Sequence, residues 1–326
     1  MPVLDVGGTH VTAALVDPAD GLPVPASVTR RELGSHAGAD GILDAIAEAA
    51  AGLPAGHLPR WGVAMPGPFD YAAGIGRFSG VGKFESLSGV DVGAGLLRRL
   101  AGRAERMCFL NDADAFALGE YRAGAAAGHE RVLCLTLGTG VGSSFLRGRP
   151  VHDGPDVPPE GHAHRLTVAG RPLEDTVSRR AMRAHYARLA AAAGSREDDL
   201  AGERARGGGA DGADDLADDR AGERAAPDVR EIAARAARGD AVAAEVFRYA
   251  FDALGRALAP WAGRFGAGAV VVGGSMARSW DLVAPALAGG LAAAGGPAAA
   301  VLPARRPDHA PLIGAAQWVR DAPGAA

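Results

Sequence analysis

Three glycine-rich turns, each directly after a run of apolar residues, have the composition of phosphate-binding loops. They are Gly7-Gly8-Thr9, Gly138-Thr139-Gly140 and Gly273-Gly274. Glycine leaves the N–H groups of a turn uncovered, so phosphate oxygens can approach the backbone closely. An ordinary hairpin would explain any one of these turns, but three of them favour a shared nucleotide site. The chain has no P-loop sequence, because its single lysine, Lys83, is followed by Phe84.

Asn111-Asp112 is the best candidate for acid–base chemistry, because it follows the apolar run Met107–Leu110. A carboxylate held where a strand meets a helix can face a cleft. There it can accept the proton of a sugar hydroxyl while the hydroxyl oxygen attacks phosphorus. The other interpretation is structural: Asp112 caps a helix that begins at Ala113, and Asn111 lies in the turn. The two residues alone do not separate these interpretations.

The elements that must position these residues alternate between strands and helices. Strands are predicted over Val3–Val6, Val11–Val16, Trp61–Met65, Met107–Leu110, Val132–Leu137, Ser143–Leu146 and Ala269–Val272. Helices are predicted after a cap at Asp40, around Ala94–Leu100, from Ala113, and over the long stretch Val229–Phe265. Strands that alternate with helices and end in glycine turns indicate a layered α/β protein.

Composition excludes several classes of protein. The chain has 326 residues, of which 48% are hydrophobic, and a net charge of −4, which argues against a general nucleic-acid surface. No apolar run approaches the roughly 18 residues of a membrane helix, and no signal peptide is visible. Cys108 and Cys134 lie in apolar runs, which favours buried thiols in a reducing cytoplasm. The acidic segment Gly194–Ala226 has almost no large apolar residues and is predicted to be a disordered, solvated insertion.

The motifs resemble, in order, those of the ROK family of sugar kinases. The matching stretches are Asp5–Thr9, Val63–Pro68, Leu110–Ala115, Leu137–Gly142, Val271–Ser275 and Leu312–Ala316. Because they span nearly the whole chain, the resemblance implies the two-lobed ribonuclease H-like or actin-like ATPase fold, an α/β fold with a cleft between its lobes. It implies a small lobe over residues 1–110 and a large lobe over 111–311, which contains the insertion 194–226. The last helix, 312–320, is expected to pack back on the small lobe.

The resemblance also implies a role for each motif residue. Asp112 corresponds to the catalytic base of the family and Asn111 to its sugar-contacting neighbour. Glu174 lies in a stretch that is similar to the family's Leu-Glu-x-x-x-Ser and is expected to accept a sugar hydroxyl. Asp5 is expected near the Mg²⁺–phosphate group, through water. The glycine turns correspond to two phosphate loops (Gly7, Gly8 and Thr9; Gly138, Thr139 and Gly140) and to a turn near the adenosine (Gly273 and Gly274).

One segment departs from the family pattern, which has Glu-x-Gly-His followed by a zinc-binding cysteine cluster. Aligning Gly161-His162 puts Pro159 where the sugar-binding Glu belongs, whereas shifting to Glu160 displaces the glycine and the histidine. We expect Glu160 and His162, rather than His164, to contact the sugar.

The cysteine cluster itself is absent, so no zinc site is expected. Another side chain, Arg165 or Asp175, must then support this loop. A metal held by His162 and His164 with His152 or Asp153 is the weaker alternative to a hydrogen-bonded loop.

The predicted activity is therefore ATP-dependent phosphorylation of a hexose, most simply glucose at O6. Mg²⁺ is the expected cofactor, and a cytoplasmic homodimer is expected by resemblance. No cationic phosphate clamp is evident, so backbone N–H groups and Mg²⁺ should stabilise most of the transferred charge. A non-catalytic sugar-binding or regulatory protein is the alternative, because the Glu-Gly-His segment is irregular. A DNA-binding repressor of the family is disfavoured, since the chain enters its first strand at Val3 and is net acidic.

Overall fold

The first half of the chain forms a five-stranded sheet. The computed structural model describes residues 1–205 and 226–322, with residues 194–205 described by their backbone alone. The sheet consists of β1 (Pro2–Val6), β2 (His10–Leu15), β3 (Thr29–Glu32), β4 (Arg60–Met65) and β7 (Arg106–Asn111), and the short β5 (Phe69–Asp70) and β6 (Ile75–Gly76) form a separate hairpin. The strand order is β3–β2–β1–β4–β7, and β1, β4 and β7 are parallel.

The two faces of this sheet have different partners because alternate residues of a strand point to opposite sides. Leu4 and Val6 pack with α1 (Ala39–Ala51) and α2 (Val92–Arg99) in one apolar core. Val3 belongs to a second core on the opposite face. Asp5 follows Val3 on that second face, at the end of β1.

The second sheet is built from the later part of the chain. Its strands are β8 (Val132–Leu137), β9 (Val141–Arg147), β10 (Arg149–Pro150), β13 (Ala269–Gly273) and β14 (Ala300–Pro303), in the order β10–β9–β8–β13–β14, and β11 (Thr167–Val168) pairs with β12 (Arg171–Pro172) outside it. The helices of this part are α4 (Glu174–Val177), α5 (Arg179–Ala205), α6 (Val229–Ala237), α7 (Ala241–Phe265) and α8 (Trp280–Ala293). A large core between α7 and this sheet includes Phe247, Phe251 and Leu135.

Two helices lie between the sheets and join them. They are α3 (Asp112–Ala123) and α9 (Ala310–Asp321), and both contribute to a core that also contains Val3 of the first sheet and Val271 of the second. The helices cross closely, since a Cβ on Gly314 would overlap the carbonyl of Ala115. α9 also contacts β1, β4 and β7 of the first sheet.

Three sequence predictions of helix ends are wrong. The N-cap of α1 is Gly38, and Asp40 instead lies in the first turn, where Arg99 binds its carboxylate at 2.7 Å. The helix predicted from Ala113 begins at Asp112. The stretch Val229–Phe265 is two helices, because Gly239 has a φ of +93° and Asp240 caps the second helix through the N–H of Ala243.

The acidic segment Gly194–Ala226 lies largely outside the described residues. α5 continues to Ala205 within its first part, and residues 206–225 are not described. The boundary between the lobes at residues 110 and 111 stays a prediction.

Candidate active site

Asp5 and Asp112 meet at one edge of the first sheet. Asp5 lies near the end of β1, and Asp112 follows β7 directly; both strands run parallel to β4, so their carboxyl ends share an edge. The pKa of Asp5 is raised to about 7, first by burial and second by the negative charge of Asp112, while the charge of Arg30 opposes the rise. Burial also raises the pKa of Asp112, against the charge of Lys83 and the N–H of Ala113. A carboxyl group whose ionisation is disfavoured by burial and by a second carboxylate is typical of an acid–base or cation site.

Asn111 is fixed at both ends of its amide. Its Oδ1 accepts the N–H of Ala113 at 2.9 Å, and its Nδ2 donates to the hydroxyl of Tyr71 at 2.9 Å. Tyr71 in turn donates to the carbonyl of Met65 at 3.2 Å. Asn111 is therefore the N-cap of α3, and Asp112 is the first helical residue rather than the cap that the structural interpretation of the sequence required.

The first glycine turn lies beside the two acids. Gly7 closes it through a 2.8 Å hydrogen bond from its N–H to the carbonyl of His10, and Thr9 is exposed at its tip. The open side of Gly8 faces Lys83, whose Cδ would be 3.9 Å from a Cβ at this position. The structure therefore brings a cation to this turn, which the sequence did not indicate.

Arg30 is a second cation on the same side of the sheet. The register pairs Asp5 with Thr12 and Thr12 with Arg30, so the three residues form one row across β1, β2 and β3. Residues directly opposite each other in such a ladder project from the same face. Arg30 thus reduces the electrostatic cost of ionising Asp5.

The second and third glycine turns lie together at the edge of the second sheet. β8 and β13 are adjacent and parallel, and a Cβ on Gly138 would be 3.8 Å from the Oγ of Ser275, next to Gly274. Glu174 supports the second turn: its Oε1 accepts the N–H of Val141 at 2.9 Å and leaves no room for a side chain on Gly140. Glu174 therefore positions a predicted phosphate loop, in addition to the sugar contact predicted for it.

The irregular segment forms a small ion-pair cluster. Glu160 has a φ of +58°, and its carboxylate lies 2.9 Å from Arg165 and 3.5 Å from the Nδ1 of His162. The rings of His162 and His164 stack at 5.1 Å, and burial lowers the pKa of both histidines. Arg165 thus pairs with Glu160 at the surface of this loop, while the buried hydroxyl of Ser143 donates to the carbonyl of Gly161 and accepts the N–H of Ala163.

The sequence alternative of a metal at the histidines finds no support in the geometry. His152 instead contacts Asp114 at 2.7 Å, and the other oxygen of Asp114 accepts the hydroxyl of Ser144 at 2.6 Å. Among the side chains of residues 1–193 and 226–322, no three of His, Cys, Asp or Glu are grouped to hold a metal ion.

The comparison with known proteins settles the family, since a model of the ROK family matches residues 2–322. This chain belongs to the ROK family. Its curated relatives include a glucokinase of Thermotoga maritima, 37% identical over 145 residues, which are 44% of this chain and 43% of that protein. The chain thus spans less than half the length of the curated relatives it matches.

Solved structures match over nearly the full length of this ROK chain. A ROK family glucokinase from Streptomyces griseus, solved with glucose and AMPPNP, is 27% identical with a TM-score of 0.73, over 98% of both chains. A ROK hexokinase from Thermus thermophilus is 26% identical with a TM-score of 0.67, over 98% of this chain and 97% of that one. The fold is therefore the actin-like ATPase fold of ROK sugar kinases, as the sequence predicted. No helix in the described part of this ROK chain is long and apolar enough to cross a membrane.

The predicted site residues of this ROK chain thus fall into three groups. Asp5, Asn111, Asp112 and the turn Gly7–Thr9 share the edge of the first sheet, and the turns at Gly138–Gly140 and Gly273–Gly274 share the edge of the second with Glu174. The Glu160–His164 segment lies between them, because His162 interacts with Asp114 of α3 and His164 with Glu174. Sequence reasoning missed Tyr71, Arg30 and the placement of Lys83.

Proposed function

We propose that this ROK protein transfers a phosphoryl group from ATP to a hexose, with Asp112 as the general base. One observation carries the proposal: the raised-pKa carboxyl of Asp112 shares a sheet edge with Asp5 and the first glycine turn. A base with a raised pKa matches the task of accepting a hydroxyl proton near neutral pH. Family membership and the glucokinase relatives support the same reaction.

In this proposal each group of residues has one task. Asn111, fixed by Tyr71 and the N–H of Ala113, orients the sugar beside Asp112. The hydroxyl oxygen attacks the γ-phosphorus, its proton passes to Asp112, and the leaving ADP oxygen takes the bonding electron pair. The N–H groups of the turns Gly7–Thr9 and Gly138–Gly140 bind the phosphates, and Gly273-Gly274 lies near the adenosine. Glu160, His162 and Glu174 contact sugar hydroxyls. Closure of the lobes over the cleft would exclude water and suppress hydrolysis of ATP.

The residues present also fit the Mg²⁺ that this reaction uses. Carboxylate oxygens and water are the ligands that Mg²⁺ prefers. A nearby cation would favour the ionised form of Asp5, which burial and the charge of Asp112 disfavour. Asp5 would hold the ion, directly or through water. When bound, Mg²⁺ neutralises charge on the phosphate oxygens.

A coupled assay of ADP release over a sugar panel tests the function. The panel is glucose, mannose, fructose, allose and N-acetylmannosamine, each with ATP and Mg²⁺. We expect sugar-dependent ADP release, highest with glucose, and little release without sugar. If sugar protects the fold against heat without any ADP release, the non-catalytic alternative is favoured. That alternative rests on the irregular segment in which Glu160 pairs with Arg165.

Assembly and location belong to the same proposal. By resemblance we propose a homodimer that works in the cytoplasm and binds no nucleic acid. Light scattering of the purified protein would give the mass of the dimer, and a monomer at micromolar concentration would contradict it.

A further inference from the structure

The loop that carries Lys83 is rigidly held on both sides of this residue. Phe78 and Phe84 are fully buried, with ring centroids 5.4 Å apart. The N–H of Phe84 donates to the carbonyl of Ser35 at 2.7 Å. The carboxylate of Glu85 accepts the N–H groups of Gly80 at 3.2 Å and Gly82 at 2.8 Å. The backbone of Lys83 is therefore fixed, although the loop lies at the surface.

From this fixed backbone the side chain of Lys83 reaches the candidate active site. Its Cδ lies beside Gly8, 3.9 Å from where a Cβ would be, and its charge acts on Asp112. Lys83 is half-buried, and none of the ion pairs among the side chains of residues 1–193 and 226–322 includes it. An ammonium without a fixed carboxylate partner, placed between a phosphate loop and a base, is available to an anionic ligand.

The position between Gly8 and Asp112 is where phosphoryl transfer would take place. The donor phosphates lie against the turn, and the attacking oxygen gives its proton to Asp112, so the transferred group passes between these two. Charge on its equatorial oxygens is stabilised by fixed cations and N–H donors. Arg30 is a less suitable cation, because it lies two strands from Asp5 and Thr12 separates them in the register.

We propose that the ammonium of Lys83 binds the oxygens of the phosphoryl group while it is transferred. This inference rests on the proposed function. The bond from the sugar oxygen to phosphorus forms, the bridging bond to ADP breaks, and the hydroxyl proton passes to Asp112. Lys83 keeps its protons throughout and contributes charge and hydrogen bonds only.

The kinetic test compares Lys83→Met, Lys83→Arg and the control Arg77→Met. Loss of one preorganised donor typically costs about 10²–10³-fold in kcat. We therefore expect Lys83→Met to lower kcat by about 10²-fold while the KM for sugar and the melting temperature stay unchanged, and Lys83→Arg to recover part of the rate. Arg77→Met removes a cation of the same loop that binds Asp70 at the surface, 3.2 Å away, and should leave kcat unchanged. A Lys83→Met enzyme with nearly the kcat of wild type would overturn the inference.

A labelling test separates this inference from the proposed function. An adenosine polyphosphate that ends in a pyridoxal group carries an aldehyde where the γ-phosphate would lie. The aldehyde forms an imine with a nearby amine, with loss of water, and borohydride reduces the imine to a stable amine. Because the chain has one lysine, peptide mass spectrometry identifies the labelled group as Lys83 or the amino terminus.

We expect one label on Lys83 that ATP prevents, and none at this position in Lys83→Arg. ATP-protected labelling in a protein that phosphorylates no sugar would uphold the phosphate contact and reject the proposed function. Labelling of the amino terminus alone, or labelling that ATP does not prevent, would overturn the inference even in an active kinase.

Discussion

Replacing Asp5 by Asn should stabilise the ligand-free protein above neutral pH while removing activity. The pKa of Asp5 is raised from 3.8 to about 7 in the folded protein. Each pKa unit corresponds to about 1.4 kcal/mol, so ionising Asp5 in the fold costs at most about 4 kcal/mol. The half-buried position of the side chain makes this an upper limit.

The sign of the pH dependence follows from which state holds the proton. Below about pH 4 both the folded and the unfolded states are protonated at Asp5, and no cost arises. Between about pH 4 and pH 7 the folded state retains a proton that the unfolded state has lost, so the free energy of unfolding falls as the pH rises. Above about pH 7 the full free-energy cost of ionising Asp5 in the folded state is present in wild type and absent in Asp5→Asn.

Urea unfolding followed by circular dichroism, in EDTA at pH 5 and at pH 8, measures this difference. We expect Asp5→Asn to exceed wild type by about 2–4 kcal/mol at pH 8 and by clearly less at pH 5. The control Asp308→Asn replaces an exposed carboxyl and should change neither value. Equal stability of Asp5→Asn and wild type at pH 8, or a difference independent of pH, would refute the reasoning.

Three further predictions concern the base, the helix crossing and zinc. Asp112→Asn should keep sugar binding, measured by calorimetry, but lower turnover by orders of magnitude because the proton acceptor is lost; near-normal turnover would mean that another group is the base. Gly314→Ala should lower the free energy of unfolding by about 1–3 kcal/mol, because its Cβ meets the backbone of Ala115. The control Gly289→Ala, where a Cβ meets nothing within 4 Å, should not lower stability. Purified protein should contain no stoichiometric zinc by mass spectrometry, and one zinc per chain would contradict our interpretation of the missing cysteines.

The strands and glycine turns were predictable because short-range patterns determine them. Val132–Leu137 is apolar except at Thr136 and is followed by Gly138 and Gly140, and a largely buried strand with a tight turn is the simplest structure for it. The position of Asn111-Asp112 was predictable for the same reason, since a polar pair after an apolar run marks the end of a strand. Only the capping interpretation was wrong: Asn111 rather than Asp112 is the N-cap of α3, although both side chains accept the N–H of Ala113.

Contacts between distant segments were not predictable from such patterns. Lys83 reaches Gly8 only because Phe78, Phe84 and Glu85 fix its loop. The spacing of residues along the chain does not predict this contact. The bond from Val141 to Glu174 likewise depends on how the second sheet meets α4. The proximity of Arg30 to Asp5 was not predictable for a related reason. It depends on the register of two strand pairs, β1 with β2 and β2 with β3.

The position of α9 has a consequence for how the protein is made. This helix covers β1, β4 and β7, and Gly62 of β4 lies against the backbone of Ala315. During synthesis, the strands of the first sheet therefore leave the ribosome long before α9, which covers the inner face of that sheet, has been made. Until that moment, in a nascent or truncated chain, the inner face of β1, β4 and β7 lacks the helix that packs on it. Such a chain should present an uncovered apolar surface to chaperones.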